Sequence, residues 1–475
     1  MKTSEIVLGY CPTRRDVFDR NAAIAQGKEI KEFIRRFPVR LVDIDGINEE
    51  NLLYDDKDVP AVIERFKNAG IDALFLPHCN FGSENRVARV AKALSVPVLL
   101  WGPRDEMPNA ETGMRSRDTQ CGLFATGKML RRHNVKFTYL TNSPLKSKYF
   151  SEKFDWFLRV ASVVKAVKDL SILQISTRPE PFGTMIYNEG ELLERFGIHV
   201  YPITIPDVVA EMDRLIEARG AELLSDAAFI REKLAPSAKE EGILKIAALK
   251  GAMKNFAARF GCRAVAVQCW TALQDVTGIM PCLANALLTD EGIPVACETD
   301  IHGAITAVMM QAATLNERPQ FFADLTIRHP EDPNKELLWH CGNFPYSMAK
   351  DQSKAYARDY WIAPTERFGS CMWQIANGDV TVARFDGDHG AYSLFVGEAK
   401  AVDGPYNGGC YTWIETEDWP KWEHKLVTGP YVHHVSGAYG NYKAVLCEAC
   451  KYIDGLTADP ADDKEAPEYD WREKN

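Results

Sequence analysis

PAVIERFKNAGIDALFLPHCNFGSENRVARVAKALSVPVLLWG, residues Pro60–Gly102, decides the fold class. Pro60–Gly70 reads as an amphipathic helix that stops at a glycine, the residue best suited to a helix C-cap. ALFLPH reads as a strand, NRVARVAKAL as a second helix and PVLLWG as a second strand. Toward the N-terminus SEIVLGY reads as a further strand. Toward the C-terminus GLFATGKMLRRHN reads as a helix and KFTYLT as a strand. This rhythm predicts an α/β fold, a parallel sheet with helices on both faces. Ligand-facing loops then follow the carboxyl ends of the strands, where GYCPTRRD, PHCNFGSEN and WGPRDE lie.

A second α/β unit opens near residue 160. LQIST and GIHVYPI read as strands, Val208–Arg219 as a helix, and roughly Asp226–Phe260 as a long helical stretch broken near Pro236. RAVAVQCW, a helix carrying Leu283–Leu288, the strand PVACETD and the helix Ala304–Ala313 continue the pattern. From about residue 350 the chain alternates in the strand manner, with glycine-rich turns and many aromatic residues. The expected division is residues 1–165 and 166–347 as two α/β domains and 348–475 as a β-rich domain. The acidic stretch after Thr457 is expected to be an exposed terminal segment.

At 475 residues, 46% hydrophobic and 26% charged, the chain has ordinary globular composition. A net charge of −10 argues against a nucleic-acid binder. No apolar run approaches the ~18–20 residues of a membrane span, and the N-terminus reads as a strand rather than a signal peptide. The twelve cysteines are scattered, many in apolar segments, which suits buried thiols in a reducing cytoplasm. Cys447 and Cys450 form a lone CxxC without the second pair of a zinc ribbon. GxxxxGK[ST] and GxGxxG are both absent.

The most informative segment for chemistry is ACETDIHG, Ala296–Gly303. Read as a strand end, it points Glu298 and Asp300 to one side. Carboxylates emerging from an apolar strand suit a hard divalent cation. Asp300 before a helix equally suits an N-cap, and the residues alone leave both readings open. YVHHVSG holds adjacent histidines, His433 and His434, of which a strand would present only one to a given site. HCGNFP could bring His340 into the same cleft, and WTALQDVTG follows a strand with Trp270, Gln274 and Asp275. Gln268 and Trp270 are candidate substrate contacts, although a tryptophan after a buried strand is more often core.

ALLTDEGIPVACETDIHGAIT, followed by QFFADLTIRHPEDPNKELLWHCGNFP, resembles the metal-site region of the L-fucose isomerase family. ISTRPEPFGTMIYNEGELLERFGIHV, GYCPTRRDVF, LLWGPRDE and GPYVHHVSGAYG are similar in the same order. The resemblance implies two Rossmann-like parallel-sheet domains and a C-terminal β-barrel-like domain. It implies a homo-oligomer (trimer or hexamer) acting on a small-molecule sugar, and an aldose–ketose isomerase using Mn²⁺ or another divalent metal through an ene-diol intermediate. It carries metal ligation to Asp300 and to one of the paired histidines, His433 or His434, with His434 the choice and Glu298 the fallback ligand. The family's catalytic glutamate has no clear counterpart: one register places Asn285 there, another Ala272. Asp275 and then Glu298 are the candidate bases, with Asp300 the third catalytic acid. Arg14, Arg15 and Arg104 could bind an anionic group. A lyase, epimerase or transferase acting on a sugar derivative, or a catalytically silent sugar-binding protein, would use the same fold without isomerisation.

Overall fold

In the computed structural model, residues 5–362 and 366–462 are described. Among them the chain forms two compact units, 5–165 and 166–462.

The first unit is a parallel sheet of β1 (Ile6–Tyr10), β2 (Val39–Asp43), β3 (Ala73–Pro77), β4 (Val98–Trp101) and β5 (Thr138–Tyr139), in spatial order 2-1-3-4-5. Alternate residues build two cores, as strand geometry requires. Ile6, Leu8, Ala73, Phe75, Leu99 and Trp101 pack under helices Arg20–Ile34 and Lys148–Val167. Val7, Leu74, Leu76, Val98 and Leu100 pack under Val59–Ala69, Glu84–Leu94 and Thr119–Arg132. The helix Arg20–Ile34 and the edge strand β2 go beyond the sequence reading. β2 is only half-buried and lacks the apolar density of its neighbours.

The second unit holds a parallel sheet of β6 (Ser171–Ile175), β7 (His199–Ile203), β8 (Ala264–Val267) and β9 (Val295–Ala296), in order 7-6-8-9. The expected break near Pro236 falls between Ala221–Leu234, whose last turn is a π-helix, and the helix Glu240–Phe260.

The remaining strands are β10 (Phe321–Arg328), β11 (Lys335–His340), β12 (Tyr356–Asp359), β13 (Phe368–Gln374), β14 (Gly378–Asp388), β15 (Ala391–Val402), β16 (Cys410–Glu415), β17 (His434–Tyr439) and β18 (Leu456–Pro460). Six of them, 16-11-10-17-14-15, close into an antiparallel barrel through the β15–β16 pairing. The fold is therefore α/β, with two parallel sheets and a closed antiparallel barrel. The barrel begins at Phe321, so the change of composition near residue 350 falls inside it. The acidic terminal stretch is not wholly exposed tail: Leu456–Pro460 pairs with β15, and residues 463–475 lie outside the described residues. All twelve cysteines are free, and ten are buried.

Candidate active site

β9 is only two residues long, because Cys297–Thr299 turns as a 3₁₀ segment. The strand reading of ACETD is corrected here. Glu298 and Thr299 both adopt left-handed backbone, φ 55° and 57°, which costs non-glycine residues of order 1–3 kcal/mol each. The turn is tied down from several sides. Thr299 Oγ1 donates to the Thr177 carbonyl at 3.1 Å. Asn343, from the HCGNFP turn, donates to the Val295 carbonyl and to Cys297 Sγ, both at 3.1 Å. Gly342 lets that turn close: a Cβ there would lie 2.3 Å from Cys282 Cβ.

Asp300 then caps the helix Ile301–Ala313, its Oδ1 accepting from Gly303 N at 2.8 Å. A Cβ at Gly303 would collide with Asp300 Oδ2 and Phe322, so glycine is required. Asp300 is also gripped by Arg384 of β14, through Nη1 to Oδ2 and Nη2 to Oδ1 at 3.2 Å. Its Oδ2 further accepts from His434 Nδ1 at 2.9 Å. Burial alone would raise the Asp300 carboxyl; Arg384 and His434 instead hold it far below the usual carboxylate range. The N-cap and the ion pair thus engage both oxygens of Asp300.

The ring of His434 turns its other nitrogen toward open acceptors. Nε2 lies 3.3 Å from Asp324 Oδ1 and 3.6 Å from Glu298 Oε2. Both oxygens are buried and without a hydrogen-bond partner. Asp324 faces His434 directly across the β10–β17 ladder. His340, ending β11, brings Nε2 to 3.8 Å from the same Glu298 oxygen, while its Nδ1 lies 3.6 Å from Cys341 Sγ. Glu298 Oε1 accepts from Cys269 Sγ at 3.1 Å. Burial would raise the Glu298 carboxyl, but His340 and His434 bring it below its ordinary value. Desolvation opposes the charged form of His434, yet Asp300 and the nearby acids raise it.

Glu298, His434 and His340 therefore meet, and Asp324 joins them. Asp324 and Arg384 escaped the sequence reading. Arg384 and Asp386 stand two apart in a strand otherwise buried on both faces, and that spacing was the available signal. Asn285 sits one layer behind, donating to Cys297 Sγ at 3.4 Å. His433 is exposed and precedes β17. It nevertheless offers a ligand atom within 4.8 Å of those of Asp324 and His434, so the adjacent histidines do not point to strictly opposite sides.

Asp275 is exposed on the short helix Ala272–Thr277 and pairs with Arg367 at 2.6 Å; no contact links it to Glu298 or His434 among the described residues. Gln268 follows β8 and is half-buried, and Trp270 is 39% exposed with its ring 6.3 Å from Phe182. Arg14 is buried in the first unit and spent on Glu50 and Asp16, and Arg15 pairs with Glu84. Neither offers a free guanidinium to an anion. Arg104 is exposed.

Residues 9–168 match the family model "Fucose/sulfoquinovose isomerase, N-terminal domain", and residues 338–456 match "L-fucose isomerase, C-terminal domain". The sulfoquinovose isomerase of Priestia megaterium is 23% identical over 445 residues, 92% of this chain and 96% of that protein. The sulfoquinovose isomerase of Alkalicoccus urumqiensis is 25% identical over 403 residues, 84% and 87% respectively. The chain is a sugar isomerase of the aldose–ketose class. It belongs to the L-fucose isomerase family, as a divergent member. No helix among the described residues is long and apolar enough to cross a membrane.

Proposed function

We propose that the chain interconverts an aldose and a ketose in a metal-dependent reaction on a sulfonated sugar of the sulfoquinovose type, passing through an ene-diol. The two family models and the curated relatives support the reaction class and the sugar. One observation carries the metal: Glu298 Oε2 and Asp324 Oδ1, buried without partners, converge on His434 Nε2. Two carboxylate oxygens and an imidazole nitrogen form the mixed donor set that Mn²⁺ accepts. Glu298, Asp324 and His434 would hold the ion, with Asp300 as the outer partner that orients the imidazole. When bound, the ion supplies Lewis acidity to the neighbouring oxygens of the open-chain sugar.

The protein's own groups do the rest. Glu298 takes over the proton-carrying role of the glutamate that the family places upstream. Its carboxylate removes the proton from the carbon next to the carbonyl and returns it to the adjoining carbon. Cys269 holds Oε1 and so fixes which oxygen faces the sugar. The test is turnover of sulfoquinovose by Mn²⁺-loaded protein in D₂O, followed by NMR for ketose formation and deuterium uptake. Ketose formation that depends on added Mn²⁺ is expected. Stoichiometric Mn²⁺ with neither ketose nor exchange would sink the isomerisation, and exchange without ketose would point to epimerase or lyase chemistry.

A further inference from the structure

We infer that Arg384 is a positioning residue that keeps Asp300 off the metal and commits it to orienting His434. This rests on the metal reading above and deepens it. Arg384 is 1% exposed, and its guanidinium is divided between two carboxylates on different elements. It grips Asp300 at the head of the helix Ile301–Ala313 and Asp386, two residues along its own strand, with Nε to Asp386 Oδ2 at 2.8 Å. Asp386 in turn contacts His302 Nδ1 at 2.8 Å and Gly387 N at 2.9 Å. The chain His302–Asp386–Arg384–Asp300–His434 thus runs through the interior to the Glu298 and Asp324 oxygens.

The geometry makes the clamp selective. Asp300 has two oxygens. Oδ1 takes the helix N–H and one guanidinium nitrogen, while Oδ2 takes the other guanidinium nitrogen and the His434 Nδ1–H. Nδ1 therefore carries a proton, and Nε2 is the nitrogen that faces the centre. A bidentate guanidinium does this where an ammonium cannot, because it spans both carboxylates in one plane.

Arg384→Lys keeps a positive charge but loses the fork. Mn²⁺ affinity is expected to fall about 10–100-fold, the usual effect of disturbing a metal ligand's outer partner. The bound-Mn²⁺ EPR spectrum is expected to broaden, and kcat to fall more than KM changes. Arg384→Gln combined with Asp386→Asn removes the clamp and neutralises one of its two carboxylates, leaving Asp300 to Gly303 N and His434 alone, and is the second variant. Isothermal titration with Mn²⁺ and EPR on both variants are the readouts, with circular dichroism and melting confirming the fold. Wild-type affinity and spectrum in a folded variant would overturn the clamp. A wild type that takes up no Mn²⁺ would instead sink the metal reading itself.

Discussion

Two buried arginines, Arg14 in the first unit and Arg384 in the barrel, are built alike and do different things. Each meets two carboxylates. Arg14 holds Glu50 and Asp16 and lies 3.9 Å over the Tyr54 ring, while Arg20 shares Glu50. That cluster closes on itself, and no Glu50 oxygen is left without a partner. Arg384 holds Asp300 and Asp386, but Asp300 passes its influence to His434, whose far nitrogen faces two unpaired oxygens. A buried ion pair alone is weak evidence of function. One that ends on unsatisfied, convergent polar atoms is a much stronger indication.

The largest expected effect breaks the open end of the barrel cluster. Glu298→Gln keeps the shape and removes both the charge and the base, so kcat should fall about 10²–10⁴-fold. The solvent-deuterium exchange rate should fall with it. An unchanged exchange rate would move the proton-carrying role to another group. One layer out, Asp300→Asn keeps an oxygen for Gly303 N but puts an amide NH2 where His434 Nδ1–H and Arg384 now donate, and loses the charge that Arg384 grips. Mn²⁺ affinity should drop about 10–100-fold with metal still bound at saturation. Metal loss beyond detection in a Mn²⁺ titration would place Asp300 on the ion and remove the distinction from Arg14.

The same contrast shows what the sequence could and could not disclose. The parallel first sheet was legible because strands such as Ala73–Pro77 are apolar on both faces and end at strong turn signals. ACETDIHG was legible because two carboxylates follow an apolar run. Asp324 was not: in FFADLTIR it looks like the polar half of a strand alternation. Its meaning comes from register, which places it opposite His434 about a hundred residues away. The ion pair of Arg14 was hidden too: a basic residue on a loop after β1 looks available, and its partner Glu50 lies 36 residues off in an unremarkable stretch. The pairing of Asp275 was hidden for the same reason, with Arg367 as its distant partner.

A smaller effect tests the closed cluster. Arg14→Met leaves Glu50 with only the more exposed Arg20, and breaking a buried pair in this way costs about 3–5 kcal/mol. Melting should shift downward while Mn²⁺ affinity, measured by titration, stays at the wild-type value. Weakened Mn²⁺ binding in a folded Arg14→Met protein would show that the two clusters are not separate.

The smallest effect concerns a buried acid that lacks a clamp altogether. Glu336, on β11, is buried, and desolvation pushes its carboxyl up to about 8; Glu423 adds to the rise and Arg328 opposes it. In the unfolded chain the same group titrates at its ordinary value of 4.5. Between these two values the native state keeps a proton that the unfolded chain releases. Stability therefore falls as pH rises through that window, and the penalty is complete above it. Below it both states are protonated and the group contributes no slope. Glu336→Gln removes the titration, so the variant should melt a few degrees above wild type at pH 8.5, converge with it at pH 4, and keep wild-type kcat. A melting difference that does not change with pH would mean that packing, not the proton, sets it. A loss of kcat would make Glu336 part of the centre, where neither its burial nor its neighbours place it.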